Sequence, residues 1–204
     1  MNLKIIFSKI TKKLDEIDHN REVMLKLSRQ MVRNCSVAIK SIHRQEFDVY
    51  EEKIKLIKEN HEKLLKIVEK KPAFFGTYLK TPEQEFIEAV CLFSIIKNQP
   101  LPEPSEHNVS DVNYLLGLAD VIGELRRYIL DQIRCGEMDL LDEILDKMED
   151  IYTSLFTLDY PKGITQDLRR KTDVARGIIE KTRGDISLTI QMNQLKKKLN
   201  NNKD

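Results

Sequence analysis

A chain of 204 residues is long enough to bury a substantial core, and a hydrophobic content of 41% excludes a disordered one. One residue in three is charged, yet 34 basic and 33 acidic side chains almost cancel to +1. The bulk basicity that usually marks nucleic-acid binding is absent, so any such role must come from uneven placement of charge.

Few glycines and prolines, no tryptophan and abundant Leu, Ile, Lys and Glu suit long helices, because straight-chain residues lose little freedom in a helix. No Gly or Pro precedes Pro72. Leu3, Ile6, Ile10, Leu14, Ile17, Met24, Leu27, Met31, Cys35, Ala38 and Ile42 recur at helical spacing, which predicts one amphipathic helix ending near Arg44. A second follows Asp48, with a seam of Tyr50, Ile54, Ile57, Leu64 and Val68, and Pro72 closes it. Phe74 to Lys80 reads as a short turn or helix. Thr81-Pro82-Glu83-Gln84 then offers an N-cap Thr, Pro at the first helical position and a capping-box Gln, starting a helix that runs to about Asn98.

Pro100, Pro102 and Pro104 make an extended connection. Ser110 or Asp111 caps the next helix, which lasts to Cys135 with Gly136 as its C′ residue. Further helices are expected over 138–158, 165–182 and 185–199, and 195–204 as a flexible tail. No strand alternation or repeat is present. The expectation is an all-α, single-domain chain (1–204) whose apolar faces also serve oligomerisation. Cys35, Cys91 and Cys135 sit among apolar neighbours and are expected to be reduced core residues. No apolar run approaches the ~20 residues needed to span a bilayer. Without a signal-peptide cleavage pattern, the expected location is cytoplasmic, with no membrane partner.

Two segments carry chemistry. In Glu85-Phe86-Ile87-Glu88-Ala89-Val90-Cys91-Leu92-Phe93, Glu88 interrupts an apolar run and Glu85 lies three residues earlier on one side of the helix. In Tyr114 to Leu125, Asp120 interrupts another apolar run and Glu124 follows one turn later. A buried carboxylate is costly unless paired, protonated or bound to a metal. Four such groups suit a hard cation, Mg²⁺ or Mn²⁺, able to promote phosphodiester hydrolysis. Interhelical salt bridges to Arg126, Arg127, Arg29 or Arg33 explain the same acids, and spacing alone favours them. Gly117 and Gly123 are expected to permit close backbone approach. A di-iron bundle is disfavoured because Glu16-Ile17-Asp18-His19 supplies only one Glu-x-x-His motif. The four histidines accompany no nucleophile motif, and there is no phosphate-binding loop.

The chain resembles the translin family, and its catalytic branch, translin-associated factor X, more than translin itself. The resemblance rests on Leu27-Ser28-Arg29, His43-Arg44, Glu85 to Val90, Arg183-Gly184 and above all YLLGLADVIGELRR from Tyr114 to Arg127, in order over roughly 15–187. It implies a seven-helix subunit in a hollow homo-oligomer, typically an octamer, enclosing RNA, with single-stranded DNA as a second ligand class. It further implies Mg²⁺- or Mn²⁺-dependent endoribonuclease activity with Glu85, Glu88 and Asp120 as catalytic residues and Glu124 completing the metal set, which turns the reading of these acids toward the metal. The alternative is a non-catalytic nucleic-acid-binding shell. A helical scaffold serving only protein partners is a third reading. The short connection from Asn98 to Ser110 and the stretch Cys135 to Asp139 depart from the family pattern. For RNA, the candidate residues are Arg29, Arg33, His43, Arg44 and Arg127, with an ordinary solvated charged face as the competing reading for the first helix.

Overall fold

The computed structural model describes residues 2–201, and no strand occurs among them. In chain order they form α1 (Leu3–His43), α2 (Phe47–Val68), the one-turn α3 (Pro72–Phe75), a 3₁₀ turn (Gly76–Leu79) and α4 (Lys80–Ile96). A second 3₁₀ turn (Pro104–His107), α5 (Asp111–Cys135), α6 (Leu141–Phe156), the one-turn α7 (Lys162–Thr165) and α8 (Leu168–Asn201) follow. Residues up to Phe86 make one unit and those from Ile87 a second, so the division falls inside α4.

In the first unit α1 packs on α2. Met24, Met31, Cys35, Ala38 and Ile42 bury the C-terminal half of the α1 seam, and Tyr50, Ile57 and Leu64 bury that of α2. Fully burying each larger aliphatic side chain contributes about 1.5–3 kcal/mol. The N-terminal part of the α1 seam differs: Leu3, Ile6, Ile10 and Leu14 keep helical spacing but are exposed. α1 ends in a Schellman motif. Gln45 adopts φ 59°, and the amides of Gln45 and Glu46 donate to the carbonyls of Ile42 (3.0 Å) and Ser41 (2.9 Å).

In the second unit α5, α6 and α8 pack pairwise. Leu116, Val121, Ile122, Leu125 and Ile129 line the core side of α5, Met148 and Leu155 that of α6, and Ala175, Ile179 and Ile186 that of α8. The α5 boundaries match expectation. The Ser110 hydroxyl accepts from the Asn113 amide at 3.3 Å, and Gly136 takes φ 83°. No helix of the described residues is long and apolar enough to cross a membrane.

Three sequence expectations are corrected. α4 grows directly out of the preceding 3₁₀ turn, so Thr81 lies inside the helix instead of capping it, and Gln84 is buried. Pro82 is tolerated because first-turn amides have no partner four residues back. The expected break at Gly184 is absent, and α8 is continuous. A helical glycine costs only about 1 kcal/mol relative to Ala, and buried Ile179, Thr182 and Ile186 hold the segment in register. α8 continues through Asn201, and 202–204, the end of the expected flexible tail, lie outside the described residues. Cys35 and Cys91 are buried, but Cys135 is exposed at the last residue of α5.

Candidate carboxylate site

α5 is apolar because it packs against both α6 and α8, and Asp120 interrupts that face only partly. Its side chain is 36% exposed and forms an ion pair with Lys171 of α8, which is 17% exposed. The Lys171 ammonium also donates to the Leu116 carbonyl at 3.4 Å, so two oxygens from one turn of α5 converge on one cation. One turn further, Glu124 lies 3.5 Å from Arg127 of the same helix. Arg126 instead reaches α8, pairing with Asp185 at 2.8 Å and donating to Thr182 at 3.0 Å. Of the expected salt-bridge partners, Arg127 meets the candidate acid Glu124, and Lys171 is a partner the sequence did not suggest.

On α4, Glu85 and Glu88 are half-buried and share one side of the helix by their three-residue spacing. One turn beyond Glu88, the buried Cys91 thiol donates to the Tyr114 hydroxyl of α5 at 4.0 Å. Burial pushes the Cys91 thiol up to about 12 and raises Tyr114, so neither ionises near neutral pH. Cys91 is therefore a packing residue and no nucleophile.

Around Asp120 and Lys171 lies a cleft of about 270 Å³, lined also by Gly123, Arg170, Val174 and Ile178. The close backbone approach expected at Gly123 is not found, since nothing lies within 4 Å of where its Cβ would stand. Gly123 borders the open cleft. A larger cleft of about 620 Å³ at the start of α8, bordered by Tyr160, Gln166 and Arg169, contains none of the predicted site residues.

No group of three or more His, Cys, Asp or Glu among the described residues is arranged to hold a metal ion. Asp120 supplies a carboxylate to the cleft, the donor type that hard cations take, and the Lys171 ammonium stands against it.

The predicted basic residues on α1 fall into two kinds. Arg29, Arg33, Lys40 and Arg44 are exposed, and at 100° per residue they occupy about 60° of arc on one face. His43 is half-buried at the edge of that stripe, whereas Arg21 is neutralised by Glu22 at 2.7 Å and Asp18 at 3.8 Å. Arg127 is exposed on α5.

Sequence reasoning missed one buried polar pair. His61 of α2 and Glu83 in the first turn of α4, both nearly inaccessible, meet at 3.0 Å, and the Phe86 ring stands edge-on to His61 at 5.9 Å. The signal was present in the register: His61 lies four residues after Ile57 and three before Leu64, on the apolar seam. A carboxylate acceptor requires the proton on Nε2.

Among the described residues the subunit is all-α and built on long helices. Comparison with known proteins supplies its family. The translin family model matches residues 95–183, a stretch holding Asp120, Glu124, Arg127 and Lys171. The uncharacterised protein MJ0175 of Methanocaldococcus jannaschii is 41% identical over 184 residues, covering 89% of this chain and 82% of that protein. Among solved structures, AfC3PO is 30% identical with a TM-score of 0.83, over 94% of this chain and 98% of the other. A second structure, of an AfC3PO–duplex RNA complex, is 29% identical at the same TM-score and coverage. Apo-NeC3PO, 21% identical with TM-score 0.83 over 90% and 96%, shares the fold. The chain belongs to the translin family.

Proposed function

We propose that this chain binds RNA and cleaves it as a Mg²⁺- or Mn²⁺-dependent endoribonuclease, acting on single-stranded or short structured RNA within a homo-oligomeric shell. The observation that carries the reading is the half-buried Asp120, on a translin-family helix, holding a cation at the edge of an open cleft. Glu88, Asp120 and Glu124 would hold the metal, with Glu85 three residues before Glu88 on α4 as the fourth member implied by the resemblance. When bound, the ion supplies Lewis acidity and charge neutralisation at a phosphodiester. Arg127 orients Glu124 through their ion pair and stands exposed for a phosphate. Arg29, Arg33 and Arg44, with His43 at the stripe's edge, bind the RNA backbone without reading its bases.

RNA as ligand is supported by the similar chain solved with duplex RNA and by the basic stripe on α1. The shell is supported by exposed apolar residues at helical spacing: Leu3, Ile6, Ile10 and Leu14 on α1, and Leu188, Met192, Leu195 and Leu199 on α8. One observation favours a second reading, a non-catalytic RNA- or single-stranded-DNA-binding shell: Asp120 and Glu124, the two candidate acids of α5, are ion-paired in the chain itself.

Titrating labelled RNA against salt tests the binding half of the proposal. About four phosphate contacts predict a loss of affinity on the order of 10²-fold between 50 and 200 mM salt, and Arg33→Ala reduces the logarithmic slope by about 1. Absent or salt-insensitive binding contradicts the RNA reading and returns the chain to a protein scaffold.

A further inference from the structure

We infer that the cleft at the start of α8 is a second RNA contact, where an unpaired nucleotide stacks its base on Tyr160 and sets its phosphate against Arg169 and Arg170. The inference rests on the RNA-binding reading above, adds a site for the strand and does not depend on cleavage. The cleft of about 620 Å³ adjoins one of about 310 Å³, with which it shares Tyr160 and Arg169. Pockets that hold compact organic ligands run to about 300–1,000 Å³, so a nucleotide is of suitable size.

The segment between α6 and α8 presents the ring. The buried Thr165 hydroxyl donates to the carbonyls of Tyr160 (3.3 Å) and Pro161 (3.5 Å). The amides of Ile164 and Gln166 donate to the carbonyls of Pro161 and Lys162, both at 2.8 Å. These bonds hold the segment while leaving Tyr160 59% exposed. An exposed aromatic ring on a held segment is a stacking platform, and stacking tolerates any base because each has a π-face. Gln166 takes φ 55° and ψ −117°, a conformation that glycine adopts at less cost. The residue there is nonetheless a glutamine at the cleft wall, whose carboxamide can both donate and accept at a base edge.

The charge around the cleft fits a nucleotide better than a bare anion. Lys162 is already paired with Asp167 at 3.6 Å. Arg169 and Arg170 are exposed and form no ion pair among the described residues, so both guanidinium groups are open to a phosphate. Asp159 and Asp173, also exposed on the cleft, repel a second phosphate and can accept from base amino groups or a ribose hydroxyl. Arg170 borders the Asp120 cleft as well, so a strand held here continues toward α5.

The test is fluorescence anisotropy of a labelled single-stranded RNA on the full-length protein, in EDTA to prevent metal-dependent cleavage. Tyr160→Ala is expected to weaken binding roughly tenfold, and Tyr160→Phe, which keeps the ring, to stay within about twofold of wild type. On an abasic strand of the same length, Tyr160→Ala should cost nothing. Arg169→Ala and Arg170→Ala should each lower the logarithmic salt slope by about 0.7, while Lys181→Ala, an exposed charge farther along α8, should leave it unchanged. Tyr160→Leu repeats the test if the Ala variant melts early by circular dichroism.

If wild type binds RNA in a salt-dependent manner and Tyr160→Ala binds as tightly, or loses as much on the abasic strand, the cleft falls and the RNA reading stands. Wild type that binds no RNA overturns both. Displacement of the labelled strand by micromolar uridine monophosphate makes the cleft a site for free nucleotides and likewise overturns the inference.

Discussion

Replacing Glu88 by Gln is expected to lower RNA cleavage on the order of 10²–10³-fold, the usual loss when a group stabilising transition-state charge is removed. The substitution keeps the side-chain shape and exchanges an anionic ligand for a neutral amide, which hard divalent ions bind less well. Because the Arg29, Arg33 and Arg44 stripe lies on α1 and Glu88 on α4, RNA affinity and its salt dependence should change little. Single-turnover cleavage of a labelled RNA, run beside a binding titration, separates the two quantities. Wild-type cleavage by the variant contradicts the assignment, and parallel loss of cleavage and binding points to disrupted assembly instead.

The largest effect on stability is expected at Glu83, which has no part in the proposed chemistry. Glu83→Ala strands the buried His61 ring nitrogen that it accepts from. Removing one partner of such a pair costs about 3 kcal/mol, and for a chain of this size that lowers the melting temperature by roughly 6–12 °C. Glu83→Gln retains an acceptor and should lose less, and an exposed control such as Lys58→Ala should stay within about 0.5 kcal/mol. Thermal melts followed by circular dichroism decide the matter. A shift of under about 2 °C for Glu83→Ala shows that the pair contributes little to stability.

Long-range periodicity made most of the helices legible. The absence of Gly and Pro before Pro72 and the steps of three and four from Leu3 to Ile42 specify α1, which ends within one residue of the expected Arg44. Helix ends were legible only where a residue of special conformation announced them. Gly136 did so. Gln45 at φ 59° and Asn98 at φ 52° end α1 and α4 in the same left-handed conformation without a glycine, because backbone hydrogen bonds from the following turn offset the strain. At Gly184 the local signal lost to packing, and at Thr81 the 3₁₀ turn running into α4 removed the free helix end that a cap serves.

The site divides along the same physical line. Asp120 and Glu124 stood out because charge inside an apolar helix face needs a local explanation. Their neighbourhood did not. Lys171 lies 51 residues from Asp120 in sequence and looks there like any other lysine of α8. Only the packing of α5 on α8 brings the two together. His61 and Glu83, 22 residues apart, were hidden for the same reason, and Glu83 was read as part of a helix start instead of a buried acid.

The central claim is tested most directly by incubating the wild-type protein with a labelled single-stranded RNA in Mg²⁺, in Mn²⁺ and in EDTA, then resolving the products. The account predicts internal cleavage that requires either ion and stops in EDTA. Intact RNA under all three conditions, from protein that binds it in a salt-dependent manner, contradicts the nuclease and leaves a binding shell whose α5 acids are salt-bridge partners.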